Sequence, residues 1–154
     1  MAKLTEEMVR AMAIDVGCGP HFVELCKKLF FQENARFLLE VIRYKRNPTF
    51  AFAFAIYDEY IDKNGSSWVN LPTDIYAAIE AYLRPWKGVR QGTTGGRLFG
   101  LQYNHGRGTA NVNLFNDAFK NILYLVSSQS DPGFQKGLEN LIKSFELERR
   151  AVSA

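Results

Sequence analysis

Three observations predict an all-α fold. Apolar residues recur at helical spacing through almost every segment. Alanine fills places where a strand would need branched or aromatic residues. Proline, often beside a helix-starting residue, stands near several expected helix starts. No strand, internal repeat or heptad pattern is found, and 154 residues suit one domain with a substantial core.

Leu4, Met8, Met12 and Ile14 suggest an N-terminal helix packed on the bundle. Gly19-Pro20 opens the next helix, with Phe22, Val23, Cys26, Leu29 and Phe30 on its inward stripe. A helix from about Asn34 turns Phe37, Leu38, Val41 and Tyr44 inward. Asn47-Pro48 reads as a cap and first-turn proline, and Asn64-Gly65 as a left-handed stop. Between them, Phe50 to Tyr57 is wholly apolar and alternates like a strand. Its alanines and the stripe Phe50, Phe54, Tyr57, Ile61 favour a helix covered on most sides.

Thr73 is read as the cap of a helix carrying Ile75, Ala78, Ile79, Tyr82 and Leu83. Leu114 to Ser128 forms another, with Phe115, Ala118, Phe119, Ile122, Leu125 and Val126 apolar. Asp131-Pro132 opens the last, with Phe134, Leu138, Leu141, Ile142 and Phe145. Arg84 to Asn113 stands apart, with no apolar period and seven of the chain's twelve glycines, and reads as an insertion.

Composition excludes several classes. The longest apolar run, eight residues, is too short for a membrane span, and the acidic start is not a secretory signal. Cys18 and Cys26 are expected to be free thiols in a reducing, cytoplasmic setting. His21 and His105 have no metal-ligand spacing around them, so no metal or cofactor is expected. Gly92 to Gly100 has the composition of a phosphate loop without its Lys-Ser/Thr ending. The sequon at Asn64 carries no weight in a cytosolic chain.

Net charge is +3, and its placement is uneven. No Asp or Glu lies between Ala81 and Asn116, where Arg84, Lys87, Arg90, Arg97 and Arg107 sit; the rest of the chain carries −2. That stretch reads as a solvated loop, as a contact for an acidic partner or membrane surface, or as a single-strand nucleic-acid tract. The last is disfavoured by the charge elsewhere.

Several motifs resemble one family in order. Phe31-Gln-Glu-Asn with Phe37 and Tyr44-Lys45 is similar to the opening of the regulator of G-protein signalling (RGS) domain, with Leu38 where that family has Trp. Ile56-Tyr57 to Ile61 and Val69-Asn70-Leu71 match its middle, and Leu114 to Leu125 with Ser130 and Phe134 its end. The resemblance covers about 18–145 of a single RGS-like domain spanning 1–154, with the insertion at 84–113.

It implies a bundle of about nine helices that binds the switch regions of a G-protein α subunit and acts as a GTPase-activating protein. Such a domain is not itself an enzyme and supplies no catalytic residue; it preorganises groups the α subunit already carries. The implied contacts are Glu33 and Asn34, Tyr82, and the last loop with Gln129, Ser130 and Gly133. Asn34 reads equally as a helix cap, and Tyr82 fits its helix's apolar stripe.

In that last loop Gln129 replaces the family's acid and Gly133 its bracing Arg, removing a charge-assisted bond worth roughly 1.5–3 kcal/mol. A scaffold or effector-binding module without GTPase acceleration is therefore the alternative reading. The implied location is cytoplasmic, with peripheral placement at the inner face of the plasma membrane left open.

Overall fold

The computed structural model describes residues 2–87 and 108–153. Among them there are eight α-helices and no strand: α1 (Glu6–Ile14), α2 (Cys18–Lys27), α3 (Gln32–Arg46), α4 (Phe50–Ile56), α5 (Thr73–Leu83), α6 (Asn116–Ser127), α7 (Pro132–Ser144) and α8 (Leu147–Ser153). A π-helical turn (Tyr57–Ile61) follows α4 and a 3-10 turn (Arg84–Trp86) follows α5. None of these is long and apolar enough to cross a membrane. The chain divides into two compact units, Met1–Arg43 with Phe119–Ala154, and Tyr44–Ala118.

In the first unit, Thr5 caps α1 by accepting the Met8 N–H at 3.2 Å. Leu4, Met8 and Met12 are buried as expected, whereas Ile14 at the helix end is half exposed. Asp15 then accepts the amides of Gly17 (2.8 Å) and Cys18 (3.0 Å), so α2 begins ahead of Gly19-Pro20. Its other oxygen meets Arg150 of α8 at 2.8 Å. The Cys18 amide first, and then Arg150, hold the Asp15 carboxyl below its usual range.

Helix α1 packs on α8, and α2 on α7, where Gly137 lets Leu25 approach. Cys18 and Cys26 are free and buried, and burial pushes their thiols up to about 11 and about 12. They are therefore protonated packing groups at neutral pH. Asp131 caps α7 through the Phe134 N–H at 2.9 Å, with Pro132 at the first position, as the sequence predicts. Helix α7 is not the last: Glu146, at φ 51°, turns the chain into α8, anchored by buried Leu147.

In the second unit, the cap of α4 is Thr49, not Asn47. Its hydroxyl accepts the Phe52 N–H at 3.1 Å. Phe50, Phe54, Tyr57 and Ile61 are buried, confirming helix over strand, but Ala51 and Ala55 leave one face exposed. The helix stops at Ile61, earlier than expected, through the π turn closed by Asp62 N–H on the Tyr57 carbonyl (2.8 Å). The amides of Ser67 (3.1 Å) and Val69 (2.8 Å) take the carbonyls of Glu59 and Tyr60.

Gly65 is not a left-handed stop. Its Cα lies against the backbone of the π turn, where a Cβ would come 2.6 Å from the Asp58 carbonyl oxygen. Thr73 is the first residue of α5 and makes no side-chain cap, and of the expected stripe only Ile79 and Leu83 are fully buried.

Among the described residues Tyr44 is the largest fully buried side chain. It meets Phe52 and Phe115 edge-on at 5.8 and 5.1 Å and donates to the Asn111 carbonyl at 2.6 Å. Phe50 packs on Trp86 at 5.0 Å, and its N–H donates to the Gly108 carbonyl at 3.1 Å. Both described flanks of the expected 84–113 insertion are thus held at Phe50. Arg90, Arg97, Arg107 and the Gly92 to Gly100 run lie outside the described residues.

Candidate protein-interaction site

Helix α2 ends in a left-handed turn at a residue that is not glycine. Phe30 has φ 61°; its N–H bonds the Lys27 carbonyl at 3.0 Å, and the Phe31 N–H reaches Cys26 at 3.2 Å. That cap reverses the chain and starts α3 at Gln32, two residues before Asn34. Asn34 therefore lies in the first turn and is not the N-cap.

Across the first unit, the Phe31 ring meets the Phe134 ring at 5.5 Å. This contact joins the start of α3 to the start of α7. It brings the turn carrying Glu33 and Asn34 to the same end of the unit as the turn carrying Gln129, Ser130 and Gly133. Glu33 and Asn34 are half-buried, and their side chains make no hydrogen bond to another described residue. Ser130 is exposed and likewise unbonded among the described residues. Gln129 is fixed at the end of α6, with its amide donating to the Leu125 carbonyl at 3.2 Å. Gly133 is exposed, and a Cβ there would come 3.2 Å from Asp131 Oδ2.

The result is a polar end with the carboxylates of Glu33 and Asp131, carboxamides and a hydroxyl on helix starts and a tight turn. Such groups can grip a peptide surface. A family model for the regulator of G protein signaling domain matches residues 17–138, which take in both turns. The chain belongs to the RGS domain family. No curated protein and no solved structure matches it.

Within this RGS domain the sequence reading missed Phe30. Its apolar character placed it on the core stripe, yet its side chain is 89% exposed, because a left-handed residue leaves the helical register. Positive φ is uncommon for so bulky a residue. No sequence rule announces it.

Tyr82 belongs to the second unit. Its ring lies parallel to Phe50 at 6.2 Å, and its hydroxyl accepts the Asn111 N–H at 2.8 Å. This is a packing and positioning arrangement, in line with the apolar stripe.

The two described cations of the basic stretch are not unopposed. Glu80, one residue before the acid-free stretch, accepts Lys87 Nζ at 2.7 Å and has Arg84 Nε at 4.0 Å. The Tyr57 hydroxyl also donates to Glu80, and Lys87 lies 5.5 Å over the Tyr57 ring. The Lys87 bond, followed by the Tyr57 bond, holds the Glu80 carboxyl below its ordinary range. Burial and the Glu80 hydrogen bond push the Tyr57 hydroxyl up.

Because the folded pKa of Glu80 is depressed, its stabilisation is complete above the ordinary value of 4.5 and is lost as pH falls through the folded one. With 17% side-chain exposure, Glu80→Gln is expected to cost about 1–2 kcal/mol at pH 7. The gap between variant and wild type should narrow as pH falls below 4.5, as measured by urea midpoints across pH. A gap that stays constant down the whole acid range would remove the charge from the explanation.

Proposed function

We propose that this RGS domain binds the switch regions of a heterotrimeric G-protein α subunit in the cytoplasm and accelerates its GTP hydrolysis. The α subunit supplies the arginine and the water-positioning glutamine; this chain supplies a rigid polar end that holds them in their transition-state arrangement. The observation that carries the reading is the Phe31–Phe134 contact, which places Glu33-Asn34 and Gln129-Ser130 on one end of a packed unit. Rigid helix starts suit this task, since preorganisation is all the domain contributes.

Phe30 extends the same contact surface. Phe30→Gly is expected to stabilise the free domain by about 0.5–1 kcal/mol, because glycine adopts the left-handed turn without penalty. It should weaken partner binding at the same time. Unchanged affinity would remove Phe30 from the interface.

Gly133 and Gln129 favour a second reading, a scaffold that binds without accelerating hydrolysis, since neither offers a charge to the turn. Single-turnover GTP hydrolysis by purified α subunits, with and without this chain, separates the two. Faster hydrolysis supports the first reading, and binding with an unchanged rate supports the second. Of the basic stretch, the described Lys87 pairs with Glu80 and Arg84 lies 4.0 Å from it.

A further inference from the structure

Gln135 is a polar side chain in the first turns of α7 with only 8% exposure. Both ends of its amide are used. Its Oε1 accepts the backbone N–H of Ala2 at 2.9 Å, and its Nε2 donates to the backbone carbonyl of Gln129. A buried amide is costly unless both ends are matched, so this arrangement fixes three chain segments at once.

A second bond runs beside it. Ser127 Oγ donates to the Leu4 carbonyl at 3.3 Å, and the Leu4 side chain is buried. Residues 2–4 therefore tie down the α6–α7 turn at both ends, at Ser127 before it and Gln135 after it. Between those ties lie Gln129 and Ser130. Gly133 has no side chain with which to hold the turn.

We propose that residues 2–4, acting through Gln135, form a strap that sets the conformation of the Gln129-Ser130 turn, and that Gln135 is a positioning residue for the partner contact. The strap stands on the hydrogen bonds alone, and its effect on binding rests on the proposed function. Anything that pulls the N-terminal segment away would loosen the turn, so affinity for the partner is coupled to the state of that segment.

Three variants of the full chain separate the bonds. Gln135→Leu removes both. Gln135→Glu keeps the acceptor for Ala2 but loses the donor to Gln129. Ala2→Pro removes the Ala2 N–H while leaving Leu4 and Gln135 in place. Two readouts are taken on each: hydrogen exchange of the Gln129 N–H, which bonds the Val126 carbonyl at 3.3 Å, against that of Ile122 within α6, and affinity for an α subunit loaded with GDP–aluminium fluoride.

Gln129 exchange is expected to quicken about tenfold in Ala2→Pro and Gln135→Leu and at least as much in Gln135→Glu, with Ile122 unchanged throughout. Affinity should fall about three- to tenfold in each, and the Ala2→Pro/Gln135→Leu double variant should be no weaker than Gln135→Leu. An Ala2→Pro protein with unaltered Gln129 exchange overturns the strap. Quickened exchange with unaltered affinity overturns the positioning role. Should the wild-type chain bind no α subunit in either nucleotide state, the proposed function fails, and the exchange of Ala2→Pro alone decides the strap.

Discussion

Asn34→Ala is expected to lower GTPase acceleration about 10- to 100-fold with the fold intact, the loss of one hydrogen bond to a group that develops charge in the transition state. The fold should survive because the Asn34 side chain bonds no other described residue and does not cap α3, which begins at Gln32. Its carboxamide offers two donors and an acceptor, and it stands on a helix start fixed by Phe31 against Phe134. Single-turnover rates at saturating domain distinguish a lost transition-state contact from weaker docking. Acceleration equal to wild type would remove Asn34 from the contact set.

Gly65→Ala is expected to cost stability instead, by about 3 kcal/mol, or roughly 6–12 °C in Tm for a chain of this size. A methyl there collides with the Asp58 and Glu59 carbonyl region of the π turn, and backbone cannot step aside as a flexible side chain can. The Glu59 carbonyl already accepts the Ser67 N–H, so moving it breaks a further bond. Asn64→Ala, at the exposed neighbouring position, serves as the control and should be close to neutral. An unchanged Tm for Gly65→Ala would contradict the close approach.

The helices were legible because most of them obey one rule, burial of a 3.6-residue stripe. Phe37, Leu38, Val41 and Tyr44 are all fully buried, as their spacing requires. Asp131-Pro132 was legible because a cap and a first-turn proline act locally. What failed was decided by partners distant in sequence or by backbone conformation. The π turn that follows α4 is held by the amides of Ser67 and Val69, which the spacing of Phe50, Phe54, Tyr57 and Ile61 does not encode. Phe30 looks like core because it is apolar, and its left-handed φ sends it outward.

Helix α8 was missed because seven residues held by one buried Leu147 give no period to read. At the candidate site, Glu33 and Asn34 stand out only within an ordered set of motifs. The Phe31–Phe134 contact that gathers the two turns joins positions 103 apart in the chain, and no local pattern carries it. The acid-free stretch begins at Ala81, one residue past Glu80, whose carboxylate pairs with Lys87 and lies 4.0 Å from Arg84.

The central claim is that this end of the domain recognises an α subunit poised for hydrolysis. The direct test is capture of purified α subunits by the immobilised full chain, with the subunits loaded with GDP alone or with GDP–aluminium fluoride, which mimics the phosphoryl group in transit. Capture in the fluoride state with little or none in the GDP state is the predicted result. Equal capture in both states, or none in either, would contradict it.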